Sequence, residues 1–284
     1  MSTDTKIEWT HHTFNPWWGC TKVHSGCAHC YAESTDARWG GDHWGKDNPR
    51  RMILGEWSKP AKWNAEAAAS GEVRRVFCAS MCDLFEDFDG PVVDQQGKPV
   101  EMKHHPGRFW TVPLLRARAL ALVTETPNLL WLLLTKRPEN VTGMVPPEWM
   151  SPGGWPANVM TGTSPCDQTT ANQSIPRLLR VPGRHFLSCE PLLGEVDLTK
   201  WMNFGHCNKC GHVGECQPLR GRELAHYTSR GSWCPYSAAR SHYLHWVIVG
   251  GESGPGARPC HVEWIRSIVR QCKAAAVPCF TKQL

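Results

Sequence analysis

The sequence predicts an α/β fold built on a parallel sheet. Six short runs rich in Val, Ile, Leu and Phe, at residues 76–79, 129–134, 159–162, 185–187, 246–249 and 278–280, end in polar residues or glycine. Strands buried on both faces read as such near-continuous apolar runs. Stretches compatible with helix lie between several of them, at 59–69, 114–124 and 262–276. Strand alternating with helix is the pattern of a parallel α/β sheet.

The residues just past each run support its reading as a strand. Residues 76–79 lead into Ser80-Met81-Cys82-Asp83, and 129–134 into Thr135-Lys136-Arg137-Pro138. Residues 159–162 lead into Thr163-Ser164, and 185–187 into Ser188-Cys189-Glu190-Pro191. The fifth run leads into Gly250-Gly251-Glu252-Ser253-Gly254. Polar groups thus gather at the carboxyl ends of strands, the face that builds active sites in parallel barrels. The helix at 262–276 carries Val262, Ile265, Ile268 and Val269 at helical spacing. The polar stretch 88–107, with Pro and Gly, reads as a surface loop.

The chain has 284 residues, enough to bury a core without staples. No apolar run approaches the roughly 18 residues of a membrane span, and residues 1–10 lack a secretory pattern. The expectation is a cytoplasmic protein with no membrane partner. Lys and Arg number 31 against 26 Asp and Glu, a net charge of +5, which permits a nucleic-acid partner without demanding one. Fifteen Trp can stack on bases or fill core.

Fourteen Cys in a chain of this kind point to metal or thiolate chemistry rather than disulfides. Cys20, Cys27 and Cys30 form a C-x6-C-x2-C cluster after Asn15-Pro16-Trp17-Trp18-Gly19 and before Tyr31-Ala32-Glu33. Three thiolates suit either a zinc ion with one more ligand, His24 or His29, or a cubane iron–sulfur cluster with one iron left open. A second set, Cys207, Cys210, Cys216 and Cys234, lies in 203–243, a segment without a long apolar run. Cys207-x2-Cys210 forms a metal knuckle, so this segment reads as an inserted module folded by zinc or by an auxiliary iron–sulfur cluster. Its five cations, Lys209, Arg220, Arg222, Arg230 and Arg240, outnumber Glu215 and Glu223, and with His226, Tyr227 and Trp233 they suit DNA or RNA. Stapling of the domain without nucleic acid explains them nearly as well.

The three-cysteine loop and the motifs after the other strands resemble the radical SAM superfamily. The C-x6-C-x2-C-Tyr-Ala spacing departs from that superfamily's usual C-x3-C-x2-C and is similar to its phage-associated branch of largely unassigned function. Further marks are Ser80-Met81-Cys82-Asp83-Leu84-Phe85, Thr135-Lys136-Arg137-Pro138, Ser188-Cys189-Glu190-Pro191-Leu192, Val249-Gly250-Gly251-Glu252-Ser253-Gly254 and Lys282-Gln283. The resemblance spans nearly the whole chain except the insert. It implies a partial (β/α)6-type radical SAM barrel formed by 1–202 and 244–284, with 203–243 as the Cys-rich insert. It implies that Cys20, Cys27 and Cys30 hold a [4Fe-4S] cluster whose fourth iron binds S-adenosylmethionine. The reduced cluster would generate a 5′-deoxyadenosyl radical that abstracts hydrogen from the substrate, a nucleobase in DNA or RNA, a nucleotide or a peptide, of which the nucleobase is the favoured class. A flavodoxin- or ferredoxin-like protein would supply the electron. The other reading is a non-catalytic, zinc-binding nucleic-acid-binding protein.

Roles for single residues come from the same resemblance. Tyr31 would touch the adenine or ribose. Ser80 and Asp83 occupy the place of the motif that holds the methionine amine, although Asp83 also suits an N-cap. Thr163 and Ser164 are candidates for the ribose or carboxylate, and Lys136 and Arg137 either for a carboxylate or phosphate or for a solvated strand end. Glu190 and Glu252 would orient cofactor or substrate, or pair with an Arg. Cys189, at a strand end, is a candidate hydrogen donor or a buried thiol.

Overall fold

The computed structural model describes residues 5–202, 243–254 and 256–282. Its centre is a seven-stranded sheet: β1 (His12–Thr13), β2 (Arg74–Cys78), β3 (Leu129–Thr135), β4 (Val159–Thr163), β5 (Arg184–Cys189), β6 (Leu244–Val249) and β7 (Cys279–Thr281). The strands lie side by side in chain order, and every neighbouring pair is parallel. β1 and β7 are not paired with each other, so the curled sheet is a half-barrel rather than a closed barrel. All six apolar runs are strands of this sheet. The first strand carries no such signal because it is two residues long and polar.

Helices make most of the crossovers that parallel pairing requires. α1 (Tyr31–Arg38) and α2 (Lys59–Ser70) join β1 to β2, and α3 (Val112–Glu125) joins β2 to β3. α4 (Gln168–Leu178) joins β4 to β5, and α5 (Val262–Ala274) joins β6 to β7. Local chemistry sets their ends. Pro60 opens α2 and Gly71, at φ 68°, closes it in the left-handed conformation. Asp167 caps α4 through Thr170 N at 2.7 Å. In α5, only Ile265 and Ile268 of the four expected apolar positions are buried. Val262 and Val269 are exposed, and Cys272 completes the buried face.

The sheet has two apolar faces, which is why its strands do not alternate in polarity. Phe77, Leu132, Met160, Phe186 and Ile248, from β2 to β6 in turn, form the inner layer with Trp9. Val76, Trp131 and Leu133 pack outward against Trp63 of α2 and Leu115 and Leu120 of α3. Leu187, Cys189, Val247 and Val249 pack outward against Ile175 of α4 and Ile265 and Ile268 of α5. Gly162 belongs to the inner layer, where the Phe186 ring lies 2.5 Å from the position a Cβ would take.

The stretch 88–107 is not a plain loop. Val92–Val93 pairs with Arg50–Met52, and Glu101–Met102 forms a hairpin with His105–Phe109. Phe88, Val92 and Val93 are buried, whereas His105–Phe109 is exposed throughout. Polarity marked the solvent-facing hairpin and hid the short buried strand before it.

Candidate active site

A cavity of about 410 Å³ opens at the carboxyl ends of the strands, above the inner apolar layer. Ile7, Trp9, Phe77 and Leu134 are among its apolar lining. Cys20, Cys27, Cys30, Tyr31, Ser80, Asp83, Lys136, Ser164, Glu190 and Glu252 all line it. Ten expected site residues from six separate segments therefore meet in one space.

The cysteine loop comes after β1. Gly19, at φ 115°, turns the chain where a Cβ would stand 2.3 Å from the His43 carbonyl oxygen. A 3-10 turn, Ser25–Cys27, is capped by His24, whose Nδ1 accepts from Gly26 N at 3.1 Å. Burial and the nearby Lys136 ammonium push the His24 imidazole down to about 4. Cys30 stands at the N-cap of α1. None of the described cysteines is in a disulfide.

A buried charge network holds the first cysteine. Arg137 donates to Asp83 Oδ2 at 2.8 Å, to the Thr21 carbonyl at 2.6 Å and to Cys20 Sγ at 3.7 Å. Glu86 accepts from Thr21 N at 2.7 Å and pairs with Arg50 through bonds of 2.8 and 3.0 Å. Burial pushes the Cys20 thiol up to about 12, Asp83 and Glu86 add to that, and Arg137 opposes them. A second network ties the middle of the loop to the end of β6. Glu252 accepts from His29 Nδ1 at 3.1 Å and from Arg258 Nε at 2.9 Å, while Arg258 Nη1 donates to the Ser25 carbonyl at 2.9 Å. The Arg258 hydrogen bonds hold the Glu252 carboxyl down at about 2.

Several expected roles change. The Asp83 carboxylate is filled by Thr135 Oγ1 at 2.7 Å, Phe85 N at 3.1 Å, Lys136 N at 3.1 Å and Arg137. It positions protein groups and has little capacity left for a ligand ammonium. Glu190 pairs with Lys282 at 2.9 Å and Glu252 with Arg258, so both take the ion-pair alternative while lining the cavity. Ser80 Oγ is held by Asn15 at 3.0 Å, and its carbonyl accepts from the Tyr31 hydroxyl at 2.8 Å. Thr163 and Cys189 do not reach the cavity. Side chains alternate along a strand. Phe186 and Ser188 face inward, so Cys189 faces the helices and is fully buried among Leu187, Val249 and Ile268. Burial pushes its thiol well up. Thr163 likewise lies on the face opposite Met160 and Gly162.

Sequence reasoning missed Arg50, Glu86, Ser188 and Arg258. Arg50, Glu86 and Arg258 gave a weak signal, because an isolated charged residue ordinarily reads as solvated, and the serine at the end of β5 gave none. The insert cysteines Cys207, Cys210, Cys216 and Cys234 lie outside the described residues.

The donor set fits the expected cofactor in kind: three half-buried thiols outside any disulfide face one cavity. Among the described residues, no three His, Cys, Asp or Glu side chains are gathered to hold a single metal ion. Also among the described residues, no helix is long and apolar enough to cross a membrane.

No curated protein and no solved structure matches the chain. A family described as "Protein of unknown function (DUF5131)" matches residues 4–97 and 112–284, leaving out the exposed hairpin but including all three loop cysteines and every strand of the sheet. The chain belongs to the DUF5131 family.

Proposed function

We propose that this protein is a radical SAM enzyme whose cavity holds a [4Fe-4S] cluster on Cys20, Cys27 and Cys30. The observation that carries the reading is the convergence of these three thiols with Tyr31, Ser80, Lys136 and Ser164 at the carboxyl ends of a parallel half-barrel.

When bound, the cluster with S-adenosylmethionine supplies reductive sulfonium cleavage and a hydrogen-abstracting 5′-deoxyadenosyl radical. The chain's own part is position and exclusion of water. Arg137 and Glu86 fix Cys20 and Thr21 against the ends of β2 and β3. Arg258 and Glu252 fix Ser25 and His29 against the end of β6. Tyr31, with its hydroxyl anchored on Ser80, offers a half-exposed ring to an adenine. Trp9, Phe77 and Leu134 keep the floor apolar, which suits a reactive radical.

The substrate class we favour is a nucleobase in DNA or RNA, on the basic residues of 203–243. A flavodoxin- or ferredoxin-like donor would deliver the electron. Zinc or an auxiliary cluster on Cys207, Cys210, Cys216 and Cys234 belongs to the same proposal.

The test is anaerobic reconstitution with iron and sulfide, reduction by dithionite, and EPR with and without S-adenosylmethionine. A [4Fe-4S]⁺ signal that changes with S-adenosylmethionine and vanishes in Cys30→Ala is expected. A colourless protein that holds only zinc would overturn the reading in favour of a zinc-binding nucleic-acid-binding protein.

A further inference from the structure

The hairpin between β2 and α3 buries almost nothing. Met102 and His105 flank a two-residue turn, Lys103-His104, and Glu101 pairs with Phe109. Residues 106–108 bulge between the two pairs, with Gly107 at φ 79°. Lys98, Lys103, His104 and all of His105–Phe109 are exposed. A two-stranded ribbon without an apolar face has no core of its own to hold it. Its base is what anchors it. Val100 N donates to the Val92 carbonyl at 3.1 Å and Trp110 N to the Val100 carbonyl at 2.8 Å, and both side chains pack on the core.

The ribbon carries three cations, Lys98, Lys103 and Arg108, against one carboxylate, Glu101. That carboxylate accepts from Gly107 N at 2.5 Å and closes the bulge. Asp94, just before the ribbon, accepts from Gln96 N at 2.8 Å and Lys98 N at 2.9 Å. Backbone amides thus engage both carboxylates. Among the described residues, none of the three cationic side chains has an ion pair or hydrogen bond.

The ribbon stands on the cavity side of the sheet, because the connection from a strand to its following helix leaves from the carboxyl end. A ladder of short strands joins it to the cysteine loop. Trp17–Trp18, just before Gly19 and Cys20, pairs with Arg50–Met52, which pairs with Val92–Val93, and Val93 bridges to Pro99. At about 4.8 Å per step, the base of the ribbon lies roughly 15 Å from Trp17–Trp18. That is less than one turn of B-DNA, about 34 Å.

We propose that residues 98–109 form a β-ribbon that enters the major groove of double-stranded DNA, with Lys98, Lys103 and Arg108 on the flanking phosphates. That groove is about 12 Å wide and admits a two-stranded ribbon. The major groove of duplex RNA is deep and narrow and does not. Phe109 is a single half-exposed ring, not the apolar patch that centres a protein interface. The ribbon lies outside both the cavity and the family match. That the bound duplex carries the nucleobase of the proposed reaction rests on the enzyme reading; the contact itself needs no cluster.

The test uses the full chain as purified, without reconstitution, and fluorescence anisotropy of a labelled DNA duplex of about two helical turns. Lys98→Ala/Lys103→Ala/Arg108→Ala should weaken binding about tenfold or more, and the slope of log affinity against log salt should fall by about 2–3. Lys62→Ala/Arg266→Ala/Arg270→Ala, which removes as much charge from α2 and α5, should bind as the parent does. Duplex RNA and single-stranded DNA of the same sequence should bind more weakly than duplex DNA and respond less to the ribbon change. Thermal melting checks that each variant is folded. A parent that does not bind duplex DNA, or a folded ribbon variant that binds it as the parent does, would overturn the proposal. So would equal losses in the two triple variants, or a preference for either of the other nucleic acids. Each of these outcomes is read without iron and leaves the EPR test of the cluster standing.

Discussion

The Arg137 guanidinium donates to the sulfur of Cys20 across 3.7 Å, held in place from the other side by Asp83 at 2.8 Å. A cationic donor on a ligand sulfur favours the more negative, reduced state of whatever the sulfur binds. Arg137→Gln should therefore lower the reduction potential of the reconstituted cluster, read by an EPR-monitored redox titration. Arg137→Lys should recover part of the shift. In the metal-free protein, loss of the cation pushes the Cys20 thiol further up, so its alkylation at pH 8 should slow. An unchanged potential together with unchanged alkylation would refute this role.

The neighbouring pair is a matter of stability. Arg50 is fully buried and spends its donors on Glu86, Thr21 Oγ1 and the carbonyls of His43, Gly45 and Asn48. Removing one partner leaves the other buried and charged, which costs about 3–5 kcal/mol. Arg50→Met should lose that much in urea unfolding. The double variant Arg50→Met/Glu86→Met should lose less than the sum of the two single changes, because it leaves no orphaned charge. Strict additivity would show that the pair is not coupled.

A one-dimensional pattern carries some of this architecture and not the rest. The apolar runs marked the strands from β2 to β7 because burial on both faces excludes polar residues from them. The same burial erased the alternation that says which side a residue faces. Cys189 and Ser188 are neighbours at one strand end, and nothing in the run distinguishes the inward serine from the outward cysteine. That Cys20, Cys27 and Cys30 act together was legible from their close spacing, and all three line one cavity. Arg258 and Glu252 were opaque as a pair, since loop charges are usually solvated and their partner atoms lie on a loop more than two hundred residues earlier.

Cys189 supplies a direct check on that assignment. It sits in the layer between β5 and the helices, with no path to the cavity. Cys189→Ala should cost roughly 1–2 kcal/mol, the effect of a small core cavity. Iron uptake and any S-adenosylmethionine response should match the parent. A variant of parental stability that fails to turn over substrate would return Cys189 to the active site.

The Glu252–Arg258 anchor makes the cysteine loop sensitive to acid. Arg258 holds the Glu252 carboxyl at about 2, below its ordinary 4.5. A depressed carboxyl contributes its stability above the unfolded value and loses it as pH falls through the folded one. Protection of loop 20–30 should therefore be complete above about pH 5 and decline from 4.5 toward 2. Hydrogen exchange by mass spectrometry, corrected for the intrinsic rate at each pH, reads this directly. Glu252→Gln cannot ionise, so its loop should exchange faster at pH 5.5 and respond less to further acid. Arg258→Met should weaken protection at pH 5.5 in the same way, by removing the other half of the clamp and the bond to the Ser25 carbonyl. The two variants act on opposite charges, so a shared loosening confined to this loop identifies the ion pair as its anchor. A loop equally protected in the parent and both variants at pH 5.5 would show that the buried Arg137–Glu86 side alone holds the cysteines in place.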